Sequence, residues 1–229
     1  MDDLNRRFSD VFTALVTPFN DGAIDFEAFD ALVERQLEAG VAGLVPVGTT
    51  GEAATLSEEE ADELIARTVK RAAGRALVMA GAGANDTKKT IDKVKRAEKA
   101  GADAVLIVTP YYNKPTQAGL IAHYGAAAEA TSLPVMLYSV PGRCGVEIAP
   151  ETCAALLDRH DNIVAIKEAG GSAARVTQLR AACGERLVIH SGDDGLTLPF
   201  LSLGAVGVTS VVANVAPHEI DRKSVVEGK

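Results

Sequence analysis

The sequence has 229 residues, of which 47% are hydrophobic and 24% charged, a composition typical of one soluble globular domain with a sizeable core. Its formal net charge of −8 disfavours nucleic acid and anionic lipid as partners, because like charges repel. No apolar run approaches the ~20 residues that span a bilayer, and the segment MDDLNRRFSD lacks the apolar stretch of a signal peptide. We therefore expect a cytoplasmic protein that binds neither nucleic acid nor membrane.

Short runs rich in branched residues recur along the chain, each followed by a polar or glycine-bearing turn and a segment with helical periodicity. In chain order these runs are 14–17, 43–47, 77–80, 104–109, 134–138, 163–167, 187–190 and 205–210. Strands that alternate with helices predict a parallel sheet, and eight such units predict a closed (β/α)₈ TIM barrel. The rival fold, an open doubly wound sheet, usually has a glycine-rich nucleotide loop after its first strand, and the segment TPFN (17–20) is no such loop.

Helix boundaries are marked by capping residues. Ser57 and Glu60 form an S-x-x-E capping box, and Pro150 suits the first turn of a helix. Gly40 and Gly101 are placed to end the helices before them. We find no linker between these elements, and residues 1–216 are predicted to form one catalytic barrel domain.

The last residues break the pattern. An eighth helix should begin near Pro217, but the segment 217–229 is short, polar and weakly periodic. We expect a barrel without its last helix, followed by an atypical tail, and our hypothesis is that the sequence is incomplete or carries a foreign tail.

Lys167 is the leading candidate for a catalytic residue, since the carboxyl ends of barrel strands carry the chemistry of this fold. It follows the apolar run 163–166, and period-two alternation places it on one strand face with Ala165 and Ile163. An apolar site lowers the pKa of a lysine, and a neutral amine can form an imine with a ketone. From position alone, a lysine that extends to solvent or pairs with a carboxylate remains an equal alternative.

Hydroxyl groups gather at the same predicted rim. Tyr138 ends the neighbouring strand in the equivalent place, where a phenol could transfer protons to and from the amine. Thr49, Thr50, Tyr111 and Tyr112 add further hydroxyls that could form a relay and a cradle for a carboxylate. Arg143, just beyond the fifth strand, suits a second carboxylate through its planar guanidinium. Each residue alone is also compatible with a core or surface position.

Other chemistries are disfavoured. Asp193 and Asp194 follow the seventh strand, where many barrels bind phosphate, and would repel it. The four histidines and three cysteines show no metal-ligand spacing, so we expect no metal and no cofactor. They are His123, His160, His190, His218, Cys144, Cys153 and Cys183.

Several segments together resemble the dihydrodipicolinate synthase family, within the N-acetylneuraminate lyase superfamily. They are ALVTPF (14–19), GLVPVGTTGEAATLS (43–57), AGAGAN (80–85), ADAVLIVTPYYNKPTQAGL (102–120), LPVMLYSVPGR (133–143), NIVAIKEAGG (162–171), HSGDD (190–194) and GVTSVVANVAP (207–217). The resemblance implies that Lys167 captures pyruvate as a Schiff base, with Tyr138 as proton donor and acceptor. Thr49 and Tyr112 match the rest of the relay, and the family's tyrosine at the Tyr112 position comes from a neighbouring subunit.

The same resemblance implies the substrate sites and the reaction. Thr50 and the backbone at Thr209 match pyruvate-binding positions, Gly192 matches part of the cavity wall, and Arg143 matches the arginine that receives the carboxylate of L-aspartate 4-semialdehyde. The expected enzyme is a lyase that condenses this aldehyde with pyruvate to 4-hydroxy-tetrahydrodipicolinate, in lysine and diaminopimelate synthesis. The family is homotetrameric, a dimer of dimers.

Three features depart from the family pattern. Ser139 stands where asparagine is usual, and the family's C-terminal helical region is missing. At the family's lysine-feedback site Asn85 and Tyr111 are kept, but Glu58, Ala61 and Lys89 do not match, so we expect weak inhibition by lysine. Two alternatives stay open: a sibling aldolase for another 2-keto acid, and a non-catalytic truncated barrel or binding protein.

Overall fold

Eight parallel strands close into a barrel in the computed structural model, which describes residues 7–220. The barrel strands are β1 (Asp10–Ala14), β4 (Gly43–Val45), β5 (Leu77–Gly81), β6 (Ala104–Val108), β7 (Val135–Ser139), β8 (Ile163–Glu168), β9 (Val188–Ser191) and β10 (Gly207–Ser210). Each pairs with the next in chain order and β10 returns to β1, while β2 (Phe19–Asn20) and β3 (Ala23–Ile24) form a separate hairpin. The predicted (β/α)₈ barrel is confirmed.

Helices follow the strands. They are α1 (Phe26–Glu38), α2 (Glu58–Ala72), α3 (Thr87–Lys99), α4 (Gln117–Ala128), α5 (Pro141–Cys144), α6 (Pro150–Leu157), α7 (Ala174–Cys183) and α8 (Thr197–Ser202), with 3₁₀ turns at Gly184–Arg186, Asp194–Leu196 and Val212–Asn214. The predicted capping box is present, since Ser57 and Glu60 each accept a hydrogen bond from the other's backbone N–H. Gly40 and Gly101 follow α1 and α3 with φ of +81° and +86°, as expected of residues that end helices.

Two apolar layers hold the barrel together. The inner layer fills the barrel with side chains such as Phe12, Met79 and Met136. The outer layer packs the strands against the helices and includes Ile166 of β8. Because successive strand residues alternate between these layers, Lys167 points into the barrel.

Two strand details differ from the predictions. The first strand was predicted at 14–17 but is Asp10–Ala14, because the polar Thr13 is satisfied in the core by donating to Gln36 Oε1 at 2.8 Å. The prediction that Ile163 shares a face with Lys167 is wrong. A register shift pairs Val135 with Ile163 but Met136 with Ala165, so Ile163 joins the outer layer and Ala165 the inner one.

The segment after β10 turns helical again at 217–220. The remainder of the tail predicted at 217–229 lies outside the described residues. Within 7–220, none of the helices combines the length and apolar character required to cross a membrane.

Candidate active site

Tyr138 and Lys167 lie side by side on neighbouring strands. The register of β7 and β8 pairs them directly, and both side chains are buried. The lysine Nζ lies 4.5 Å from the centroid of the phenol ring. The sequence-based expectation that these two residues adjoin is met in this geometry.

Burial lowers the pKa of the Lys167 amine towards neutral pH. Its side chain is 5% exposed, and loss of solvation lowers the pKa of the amine to about 8. The carboxylate of Asp194 opposes this decrease, whereas the charge of Arg143 adds to it. With that pKa, about a tenth of the amine is neutral at pH 7 and available for attack on a carbonyl.

The pKa of the Tyr138 phenol is shifted in the direction that suits a proton donor. Burial raises the pKa of its phenol, while the charge of Arg143 and a side-chain hydrogen bond with Thr49 oppose the increase. The hydroxyl therefore holds its proton at neutral pH. Thr49 lies in the loop after β4, so this hydrogen bond joins two predicted relay residues across the rim.

A cavity of about 340 Å³ opens beside the pair. Its wall includes Tyr138, Thr49, Arg143, Tyr111 and Lys93, together with apolar groups such as Val47, Leu106, Val108, Val140 and Cys144. Lys167 is not part of this wall and lies next to it, against the Tyr138 ring. Arg143 reaches the cavity from α5, a single helical turn that Pro141 initiates directly after β7. The wall thus presents the basic side chains of Arg143 and Lys93, several hydroxyl groups and the acidic side chain of Glu52 to a small polar substrate.

The other predicted site residues are not part of this cavity wall. Gly192 packs against the lysine, because a Cβ added there would lie 3.1 Å from Lys167 Cε. Thr209 is buried on β10, and Thr50 is partly buried in the loop after β4. Tyr112 is 90% exposed and is not among the residues that line the cavity.

A buried ion pair on the outer side of the strand that carries Lys167 was not predicted from the sequence. Arg175 Nη2 lies 3.3 Å from Glu168 Oε2 and also donates to the Ile148 carbonyl at 2.7 Å. Ser139 Oγ accepts from the Ile148 backbone N–H at 3.4 Å. Serine at position 139, where the resembled family usually has asparagine, therefore still attaches the loop that follows Arg143 to the barrel. The available signal was Glu168 itself, a charge two residues after the apolar Ile166 on the same outer face of the strand.

Asp194 makes structural contacts in addition to the repulsion of phosphate that the sequence predicts. Its Oδ2 accepts from the backbone N–H groups of Val211 and Val212 at 3.0 and 3.1 Å, which fixes the segment after β10. Its charge also raises the pKa of Lys167. No grouping of three or more metal-binding side chains occurs within residues 7–220.

Comparison with known proteins supplies a family context for this site. The model of the dihydrodipicolinate synthetase family matches residues 7–226. The chain is 50% identical to the 4-hydroxy-tetrahydrodipicolinate synthase of Maridesulfovibrio salexigens over 210 residues, covering 92% of this chain and 72% of that protein. It is 51% identical to the corresponding synthase of Magnetococcus marinus over 211 residues, with the same coverage of 92% and 72%.

Solved structures agree with these relatives. The synthase from Methylacidiphilum fumariolicum SolV superposes with a TM-score of 0.94 at 49% identity, covering 97% of this chain and 75% of that one. A chloride-inhibited synthase from Acinetobacter baumannii, complexed with pyruvate, superposes with a TM-score of 0.92 at 44% identity, covering 95% and 75%. The similarity therefore extends over nearly all of this chain and about three quarters of each solved one.

Proposed function

The chain belongs to the dihydrodipicolinate synthetase family, and from that premise we propose that it condenses pyruvate with L-aspartate 4-semialdehyde through a Schiff base on Lys167. The product is 4-hydroxy-tetrahydrodipicolinate, a precursor of diaminopimelate and lysine. The observation that carries the proposal is the buried Lys167 amine 4.5 Å from the Tyr138 ring, beside a cavity that a small keto acid fits.

The first step is imine formation. The neutral amine of Lys167 attacks the keto carbon of pyruvate, and water leaves from the carbinolamine. Tyr138 protonates the departing hydroxyl, since its raised pKa keeps a proton available, and Thr49 is its hydrogen-bond partner in the relay. The phenol ring beside Nζ also favours the cationic imine through a cation–π contact. Thr50 and the backbone at Thr209 receive the pyruvate carboxylate.

The second step forms the carbon–carbon bond. The imine loses a methyl proton to give an enamine, which attacks the aldehyde carbon of the second substrate. Arg143, on the cavity wall, binds the carboxylate of that substrate with its guanidinium, and Gly192 leaves room beside the lysine stem. The amine of the second substrate then displaces Lys167 as the ring closes.

A second copy of the chain completes the relay in this proposal. Tyr112 is held at a φ of +74°, in the left-handed region that bulky residues rarely adopt outside constrained, often functional, positions. Its side chain is 90% exposed and is not among the residues that line the cavity of its own chain. We infer that it enters the cavity of a partner subunit, in the homotetramer expected from the family.

Borohydride trapping with pyruvate tests the proposal, because reduction converts the imine to a stable secondary amine. Peptide mass mapping should find the adduct on the peptide that contains Lys167. Lys93 is the appropriate rival, since it lines the same cavity and burial lowers its pKa as well. Lys167→Arg should abolish trapping, whereas Lys93→Arg should retain it. An adduct on Lys93, or none in folded protein, would contradict the assignment.

The aldehyde substrate needs its own assay. Pyruvate is offered with L-aspartate 4-semialdehyde and, separately, with aldehydes that lack the carboxylate or the amine. Turnover should require both groups, because Arg143 binds one and ring closure uses the other. Equal turnover of an aldehyde without the carboxylate would favour a sibling aldolase.

A further inference from the structure

A buried histidine lies beside the lysine. His190 pairs in register with Lys167 across β8 and β9, and its side chain is fully buried. The edge of its ring packs on Phe12, with centroids 5.0 Å apart at an angle of 86°. The mechanism above gives this residue no role.

The hydrogen bonds of His190 define its protonation. Nε2 contacts the Phe8 carbonyl oxygen, which can only accept, so this nitrogen carries the hydrogen. Burial lowers the pKa of His190 to about 4, so the ring is neutral at physiological pH and Nδ1 is an acceptor. The Thr209 hydroxyl, with Oγ1 3.2 Å from Nδ1, is therefore the donor.

Neighbouring elements hold this arrangement in place. A Cβ at Gly207 would lie 2.8 Å from His190 Nε2, so glycine at this position leaves room for the ring. Beyond Thr209, Ser210 Oγ accepts from the Ala213 N–H at 2.9 Å. Asp194 Oδ2 accepts from the backbone N–H groups of Val211 and Val212. The end of β10 is thus fixed by His190 on one side and by Asp194 on the other.

We propose that His190 is a positioning residue for the pyruvate subsite, acting through Thr209. The inference rests on the proposed function, in which the backbone at Thr209 meets the pyruvate carboxylate. Without the imidazole, the Thr209 hydroxyl and the Phe8 carbonyl lose their buried partners, and the end of β10 shifts to satisfy them. His190 does not touch substrate in this scheme.

The test measures borohydride trapping as a function of pyruvate concentration. His190→Leu should raise the half-saturating concentration about tenfold, the effect expected from one lost buried hydrogen-bond partner. His190→Gln, whose amide can donate to Phe8 and accept from Thr209, should stay within about threefold of the unaltered chain. The double variant His190→Leu/Thr209→Val also removes the hydroxyl that His190→Leu leaves unpaired, and it should recover part of the loss, since the Phe8 carbonyl still lacks its partner.

The readout separates positioning from simple destabilisation. A purely structural role would lower the amount of adduct at saturating pyruvate and leave the half-saturating concentration unchanged, which would overturn the proposal. If His190→Leu does not fold, Thr209→Val carries the test, and an unchanged half-saturating concentration in that variant overturns the proposal. No adduct in the unaltered chain would instead contradict the proposed function itself.

Discussion

Glu168 and Arg175 form a buried ion pair on the outer side of the strand whose inner side carries Lys167, with Arg175 Nη2 3.3 Å from Glu168 Oε2. The backbone N–H of Gly170 donates to the other carboxylate oxygen, Oε1, at 2.7 Å. Because Arg175 also binds the Ile148 carbonyl, one guanidinium connects the lysine strand to the loop that follows Arg143. The strand that carries Lys167 and the loop that follows Arg143 therefore share one anchor.

Removing that anchor should be costly. Arg175→Met leaves the Glu168 carboxylate buried without its cation, so we expect a loss of about 3–5 kcal/mol in the free energy of unfolding. Urea denaturation of the purified chain measures it. The matched control is Arg186→Met, which breaks the exposed pair with Asp158 and should cost less than about 1 kcal/mol. Equal effects of the two substitutions would show that the buried pair contributes no special stability.

The pH dependence of imine trapping should report the amine of Lys167. Burial lowers its pKa to about 8, so the neutral fraction, and with it the trapping rate at low pyruvate, should rise as pH increases through that value. Asp194→Asn keeps an acceptor for the Val211 and Val212 N–H groups but removes the charge that raises the lysine pKa. The midpoint should move to lower pH in that variant and stay in place in Asp193→Asn. A midpoint near 10.5, the ordinary lysine value, would mean that the amine is solvated.

Gly192 should tolerate no side chain. A Cβ there would lie 2.7 Å from Ala169 Cβ and 3.1 Å from Lys167 Cε, so Gly192→Ala should displace the lysine stem. We expect kcat to fall about 100-fold, the loss typical of a misplacement of about 1 Å. Gly119→Ala is the control, since its added Cβ would meet Pro115 Cβ only at 3.4 Å, an ordinary contact. Unchanged steady-state rates in Gly192→Ala would show that the strand ends can shift without loss.

The positions of some site residues can be predicted from the sequence alone, because strands and helices alternate regularly along it. Lys167 and Tyr138 end neighbouring strands, so counting along the strands is enough to place them together. Ile163 was misplaced because the register shift that reverses its face depends on pairing with β7, which no local pattern records.

Contacts between segments that are distant in sequence could not be predicted from periodicity. The Arg175–Ile148 and His190–Phe8 hydrogen bonds join residues 27 and 182 positions apart. Neither follows from strand or helix periodicity, because each depends on how the whole barrel closes. The capping box at Ser57 and Glu60 could be predicted because it joins residues within a single helical turn, and the structure contains it.

Free lysine should inhibit the chain weakly. At the positions that match the family's feedback site, Glu58 is engaged by Arg96, with Oε2 2.8 Å from Nη1, and Lys89 adds a positive charge that repels an ammonium ligand. Steady-state rates should change by less than about twofold when lysine is added to millimolar levels, a change of under about 0.5 kcal/mol. Lys89→Glu reverses the charge and should increase the response, and strong inhibition of the unaltered chain at modest lysine would refute the expectation.

The partner role of Tyr112 can be tested by mixing two inactive variants. Tyr112→Phe and Lys167→Ala should each lose at least about 100-fold in kcat, since one lacks a relay hydroxyl and the other the nucleophile. If Tyr112 serves the cavity of a second copy, a mixed dimer contains one site with both residues intact. Random assembly into dimers should then restore about a quarter of the normal rate.

The control for this experiment uses two residues of one site. Tyr138 and Lys167 lie on the same rung of one barrel, so mixing Tyr138→Phe with Lys167→Ala yields no intact site and should restore nothing. Recovery only in the Tyr112 mixture assigns that hydroxyl to the partner. Lack of recovery, in a sample that forms mixed oligomers by native mass spectrometry, would place Tyr112 outside the relay or within its own chain's site. Because a relay hydroxyl needs a dry cavity, the 90% exposure of Tyr112 in the single chain favours recovery of activity in the Tyr112 mixture.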